Sequence, residues 1–284
     1  MPIVACWFSI VGVFHCLTKK REMSMSHPKV ALVTGGGTGV GKQTAIGLAR
    51  LGYKVVVNYS RSKHEAQETV NEIERLGGAA KVYQADVADD AQCRAMAQYA
   101  VESFGRIDVL VNCAGVTEFI PFHDLESVTD DVWLRLYQVN VVGAFHCARA
   151  VRESMNQVGG GQIINVSSVA AQLAQGSSIP YCCTKAALDN LTVSLARTLA
   201  PKIRVNAIAP GFIAGSWTQK GLGEKYDKIK EAYENTLPLG RVCLPEDIAN
   251  GILSLVTGSA MVTGQTLTVD GGMMIHGFQV KFDG

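Results

Sequence analysis

Tyr181 and Lys185 stand four residues apart in the run Tyr-Cys-Cys-Thr-Lys, a spacing that puts both on one face of a helix. A free phenol ionises near pH 10, too high for easy proton transfer at neutrality. An adjacent ammonium favours the phenolate and brings the group towards the working range. The pair is therefore read as an acid–base unit. Alone it is a weak signal, because Tyr and Lys meet at this spacing on many solvated helix faces. Ser168, at the end of an apolar run, adds a hydroxyl thirteen residues earlier, and Asn140 adds an amide earlier still. Asn140 taken alone is an ordinary polar helix residue.

A second cluster supplies what such a unit would act with. Thr34-Gly35-Gly36-Gly37-Thr38-Gly39-Val40-Gly41 directly follows the β-branched run 30–33 and precedes a helix-like stretch at 43–51. Strand, glycine turn and helix in that order let the backbone approach a pyrophosphate, with the N–H groups and partial positive charge of a helix N-terminus behind it. The spacing is Gly-x-x-x-Gly-x-Gly, and no register of the run gives Gly-x-Gly-x-x-Gly.

These residues need a frame, and the hydrophobic pattern predicts one. Short apolar runs at 29–34, 54–59, 80–85, 108–112, 162–166, 203–208 and 266–269 read as seven strands. Between them lie amphipathic stretches at 63–76, 91–104, 128–155 and 181–199 and a helix-rich segment at 217–237. Alternation of this kind predicts an α/β fold, a three-layer αβα sandwich around a seven-stranded, mostly parallel sheet. In open parallel sheets ligands bind beyond the carboxyl ends of the strands. Gly35, Asp86, Asn112, Ser168 and Pro210 all fall just after strand candidates, so they are expected to converge on one crevice.

Together with Asn112-Cys113-Ala114-Gly115 and Pro210-Gly211, these motifs resemble the short-chain dehydrogenase/reductase superfamily in its single-domain branch, over about residues 29–273. The resemblance implies a Rossmann-type fold and a nicotinamide dinucleotide. Gly35, Gly37, Thr38, Gly39, Val40 and Gly41 would surround its phosphates, and Asp86-Val87 would lie near adenine. Asn112, Ala114 and Gly115 would form the turn along the adenosine ribose, and Pro210, Gly211 and Ile213 would flank the nicotinamide. The family's usual Thr after this segment is Gly215 here, with Ser216 next to it. Asp86 has a plainer reading as a helix N-cap, which Asp89 or Asp90 serves equally well. No acid stands at the end of the second strand, where one would accept a ribose 2′-OH. Tyr59 takes that place, and Ser60, Arg61 and Lys63 are suited to a 2′-phosphate. Thr38, where many NADP-preferring relatives carry a base, argues the other way. The expectation is NADP, with NAD also usable.

The implied reaction is reversible hydride transfer between nicotinamide and a carbonyl or secondary alcohol. In it Tyr181 is the acid–base, Lys185 lowers its pKa and holds the nicotinamide ribose, Ser168 bonds the substrate oxygen, and Asn140 holds a water in a relay with Lys185. Ser167 is the competing choice for the hydroxyl. The nearest types by pattern are 3-oxoacyl-carrier-protein reductases and glucose 1-dehydrogenases. The stretch 156–162 before strand five lacks the cations that would meet an acidic carrier. A free small ketone, sugar or steroid-like alcohol is therefore at least as well supported as a carrier-bound acyl chain. The reading from another class is a silent dinucleotide sensor or scaffold, and the intact four-residue set argues against it.

Composition narrows the partners. The chain has 284 residues, 48% of them hydrophobic and 18% charged, with net charge +1. No basic run marks a nucleic-acid binder, and the partner expected is a small molecule. The eight cysteines form no Cys-x-x-Cys pair and no spacing suited to zinc, so no metal is expected and a reduced, cytoplasmic setting is the simplest. Cys113, Cys182 and Cys183 are read as packing residues. Residues 3–17 are strongly apolar and are followed by Lys19-Lys20-Arg21, too short a run to span a bilayer. They are either an upstream extension, with Met23 or Met25 as functional start, or a short membrane-associating anchor. The expected division is an extension at 1–27, one domain at 28–275 and a tail at 276–284. Resemblance further implies a homotetramer or homodimer packed through the helices near 128–155 and 181–199.

Overall fold

The computed structural model describes residues 28–275; the expected N-terminal extension and the tail lie outside the described residues. Seven apolar runs form β1 (Val30–Thr34), β2 (Lys54–Tyr59), β3 (Ala80–Gln84), β4 (Val109–Asn112), β5 (Gly161–Val166), β6 (Ile203–Pro210) and β7 (Thr266–Val269). They make one sheet of order β3-β2-β1-β4-β5-β6-β7. Every neighbouring pair is parallel. The expected "mostly parallel" sheet is wholly so among the described residues. The helices are α1 (Gly39–Arg50), α2 (Lys63–Arg75), α3 (Asp90–Phe104), α4 (Asp130–Tyr137), α5 (Gly143–Gln157), the short α6 (Ala170–Leu173), α7 (Ile179–Leu199), α8 (Ser216–Leu222), α9 (Tyr226–Thr236) and α10 (Pro245–Thr257).

Strands buried on both faces read as continuous apolar runs, and successive side chains feed two cores. Ala31, Val33, Val55, Val57, Val109 and Val111 pack beneath α1, α2 and α10. Leu32, Val56, Leu110, Ile163 and Val205 pack beneath α3, α5 and α7. The chain runs β1 to β3 in one direction, then crosses back to lay β4 on the other edge of β1. The switch point that opens a crevice is therefore between β1 and β4.

Two local features depart from the sequence reading, and a third decides between its alternatives. The stretch 128–155 is not one helix, because a π turn at Gln138–Val142 separates α4 from α5 and carries Asn140. Helix α10 was not anticipated. It opens with Pro245 at its first positions and Glu246 and Asp247 in its first turn, and Asp247 Oδ2 accepts from Leu244 N–H at 2.8 Å, a conventional start. Its mid-helix Gly251 is required by proximity, since a Cβ there would lie 2.5 Å from Ile208 Cδ1 on β6. At α3 the N-cap is Asp89, accepting from Gln92 N–H at 3.1 Å, which removes the plainer reading of Asp86.

Candidate active site

The glycine turn is shaped by backbone needs. Gly35 and Gly39 have φ of +61° and +49°, in the left-handed region that favours glycine. A Cβ on Gly35 would stand 3.1 Å from the Ala114 backbone, and one on Gly41 only 2.2 Å from Gly35 O, so α1 packs directly on the turn. Two buried polar side chains tie the turn to the neighbouring strand ends. Asn58 Oδ1 accepts from Gly35 N–H at 3.2 Å and its amide donates to Ala85 O at 3.0 Å, joining β1, β2 and the end of β3. Thr34 Oγ1 accepts from the N–H groups of Cys113 and Ala114 at 3.0 and 3.1 Å. Thr38, the N-cap of α1, makes no side-chain cap bond, so it does not shield the first-turn N–H groups. An open helix N-terminus behind a turn stripped of side chains fits a pyrophosphate.

A cleft of about 1090 Å³ runs from this turn across the carboxyl ends of the strands. At its first end it is lined by Gly35, Thr38, Gly39 and Val40, with Tyr59, Ser60 and Arg61 from the end of β2 and Asp86 and Val87 beyond β3. Ala114 and Gly115 line its middle. Ser168, Tyr181, Lys185, Pro210, Gly211 and Ile213 line its far part.

Four expected site residues stand behind the lining instead. Gly37 abuts the Ala66 backbone of α2 (2.9 Å from its absent Cβ), and Gly41 abuts Gly35. Asn112 turns its amide to Asn165 Oδ1 at 2.9 Å and to Ala144 O at 3.3 Å, so it fastens β4 to β5 and α5. Asn140 is also committed: Oδ1 accepts from Val116 N–H at 2.8 Å, and Nδ2 donates to Val116 O at 2.9 Å and Thr184 Oγ1 at 3.1 Å. Each is needed for shape, and none of the four lines the cleft.

At the catalytic end, Ser178 caps α7 and starts the helix that carries Tyr181 and Lys185. Lys185 Nζ donates to Val166 O at 2.8 Å and lies 5.5 Å from the Tyr181 ring centroid. Burial, with little opposing it beyond Cys113 and Asp189, lowers the Lys185 pKa to about 8. Burial likewise pushes Tyr181 up to about 12, against the hydrogen bond with Ser168. In the chain by itself, burial of the ring is the largest influence on the phenol. Both serines line the cleft; Ser168 is the one that acts on the Tyr181 phenol, whereas Ser167 Oγ donates to Lys185 O at 3.3 Å. Cys113 lines the cleft with its thiol pushed up to about 11 by burial, an inert packing thiol.

Sequence reasoning missed Asn58, although a polar residue inside the apolar run 55–59 signals a buried group needing partners. It also missed Arg135 and Gln138, which reach the rim from α4 and the π turn, and Met273. The outer wall comes from the segments 118–122, 172–179 and 214–237, through Phe119, Phe122, Ser177, Trp217 and Tyr233. Gly215 and Ser216 line the cleft, and the Thr218 hydroxyl folds back to Ile213 O at 2.8 Å and Gly215 O at 3.0 Å. Among the described residues no helix is long and apolar enough to cross a membrane.

Comparison with known proteins agrees with this geometry. Residues 35–274 match the family described as enoyl-(acyl carrier protein) reductase. A 3-oxoacyl-[acyl-carrier-protein] reductase of Staphylococcus aureus is 39% identical over 251 residues, covering 88% of this chain and 99% of the relative. An L-rhamnose 1-dehydrogenase (NAD(P)(+)) of a Sphingomonas strain is 38% identical over 257 residues, covering 89% and 99%. Among solved structures, acetoin dehydrogenase from Enterobacter cloacae superimposes with a TM-score of 0.79 at 34% identity, over 90% of this chain and 99% of that one.

Proposed function

The chain belongs to the short-chain dehydrogenase/reductase family and is an oxidoreductase of hydroxyl or keto groups, and from that premise we propose an NAD(P)-dependent carbonyl reductase in which Tyr181 is the proton donor. The observation that carries the reading is the continuity of one cleft from the glycine turn to Ser168, Tyr181 and Lys185. Gly35, Thr38, Gly39 and Val40 would hold the phosphates, Asp86 and Val87 the adenine end, and Pro210, Gly211 and Ile213 the nicotinamide end. A reduced nicotinamide bound there supplies hydride to the substrate carbon.

This chain's residues handle the oxygen. Ser168 orients the carbonyl and donates towards the charge that develops on it. Tyr181, protonated across the physiological range, gives its proton to the nascent alkoxide. Lys185 is the positive charge that steadies the site and holds the nicotinamide ribose. Asn140, with both amide hydrogens committed, keeps one Oδ1 lone pair for a water on the path to Lys185, and otherwise positions Val116 and Thr184. Tyr59, Ser60 and the exposed Arg61 support NADP, with NAD also accepted, in line with the dual cofactor in the name of the rhamnose dehydrogenase relative. We assign the exposed Phe145 on α5 and Val193 on α7 to the packing surface of a homodimer or homotetramer.

The test is oxidation of NADPH and NADH by the purified full chain over a panel of oxoacyl thioesters, diketones, sugars and steroids. Turnover that vanishes in Tyr181→Phe with cofactor binding retained upholds the reading. Cofactor binding with no turnover in either direction overturns it.

A further inference from the structure

The wall beside Tyr181 has no part in moving hydride or proton, yet its construction is specific. Trp217, in the first turn of α8, sets its ring 6.2 Å from that of Tyr181 with the planes at 55°. Phe119 meets the other side of Trp217 edge-on, at 6.4 Å and 67°. Both spacings suit aromatic pairs, so three rings run outward from the proton donor. Trp217 and Phe119 remain 48% and 37% exposed and both line the cleft. They leave carbon surface in water until something apolar covers it.

Both supports of this wall are anchored. The loop bearing Phe119 is held by Ile120 N–H to Ser177 O at 2.8 Å, by a hydroxyl contact between Thr117 and Ser177, and by the Glu118–Arg135 ion pair. Helix α8 is held at its start by Thr218. The two meet at Gly221, where a Cβ would fall 1.9 Å from the Phe119 ring. Helix and ring close together because position 221 has no side chain. The Ser177 and Thr218 hydroxyls already have partners. A polyol placed against the Trp217 and Phe119 rings would exchange its water hydrogen bonds for contact with carbon.

We infer that Trp217, seated by Phe119 and Gly221, is a specificity-determining residue that selects uncharged carbonyl compounds carrying a ring or similarly broad apolar group over small polar ketones and sugars. The inference rests on the carbonyl-reductase reading above and adds the substrate class to it. Gly221 acts by letting the Phe119 ring stand where it does.

The experiment compares kcat/KM for tetralone and for diacetyl, with NADPH, in wild type, Trp217→Ala and Gly221→Ala. Wild type is expected to prefer tetralone, and both variants to lower the tetralone-to-diacetyl ratio by about tenfold, chiefly through KM for tetralone. A wild-type preference for diacetyl, or a ratio within about twofold of wild type in both variants, overturns the inference. If no form reduces either ketone, the reductase reading is left to the wider panel above, and the wall is judged by tryptophan fluorescence instead. Quenching by tetralone in wild type but not in Trp217→Phe, which keeps the ring wall, upholds it. Equal quenching, or none, overturns it.

Discussion

The two ends of the cleft are made of different materials. The cradle end is backbone, with glycines in contact with carbonyls and two fully buried side chains, Asn58 and Thr34, fastening strand ends together. The far wall is side chain, with partly exposed rings carried on a loop and the short helix α8. The difference teaches where variation is tolerated. A backbone cradle admits almost no added atom without moving the sheet, whereas a ring wall yields by turning a side chain. A family that keeps one cofactor site while changing substrates needs that division.

The residue at the seam gives the largest expected effect. Tyr181→Phe removes the proposed proton donor and should lower kcat by roughly 10²–10⁴-fold, with NADPH affinity, read by titration of its fluorescence, little changed. Loss of cofactor binding instead would place Tyr181 in the cradle. Next come two substitutions that add the same atom at either end. Gly41→Ala drives a methyl into Gly35 O and should cost about 1–3 kcal/mol together with NADPH affinity, measured by denaturant melts and titration. Gly221→Ala meets only the tip of the Phe119 ring. It should leave stability within about 0.5 kcal/mol and NADPH affinity unchanged. Equal losses from the two would erase the contrast.

The pH profile sharpens the seam further. With Tyr181 pushed up to about 12 and Lys185 down to about 8, the alkaline limb of reduction belongs to Lys185. Rate should fall as pH rises through about 8, as the ammonium loses its charge. A limb set by the phenol would lie far higher. Stability carries the opposite sign over part of this range. Between about 8 and the ordinary lysine value of 10.5 the unfolded chain holds the extra proton, so this residue's contribution to stability rises with pH. From 10 to about 12 the folded chain keeps the Tyr181 proton that the unfolded chain has lost, and stability falls again. A charge buried at neutral pH is a cost kept for function. Lys185→Met should therefore melt higher at pH 7, a gain on the order of 1–4 kcal/mol, while losing activity.

The cradle was the more legible end for the same physical reason. Glycine spacing and β-branched runs report backbone demands directly, and Gly35, Gly39, Tyr181 and Lys185 stand in the cleft as expected. Residues whose work is internal to the sheet were harder to place. Asn112 and Gly41 share the motif with true lining residues, and only the register Thr34–Asn112–Asn165 shows Asn112 facing its neighbour strand. The π turn around Asn140 has no Gly or Pro to announce it, and the extra residue is absorbed by packing between α4 and α7. Helical spacing reveals that ammonium and phenol are near one another but not how far burial dehydrates each. The rings of the far wall carry no sequence signal of their own, because their mutual contacts depend on a glycine 102 positions from its ring, a relation no periodicity contains.

The strand order also governs how the chain must acquire its shape. Strand β1 gains its first neighbour, β2, at once, but its other edge stays open until β4 is made, and Thr34 waits for a partner 79 residues further on. Until then Val30 to Val33 present an unpaired, wholly apolar edge, the kind of template that captures other chains. Late pairing over long separations is slow. During synthesis the interval before residue 112 emerges is thus the one in which this protein is most exposed to aggregation, and chaperone dependence should be greatest for nascent chains ending between β3 and β4.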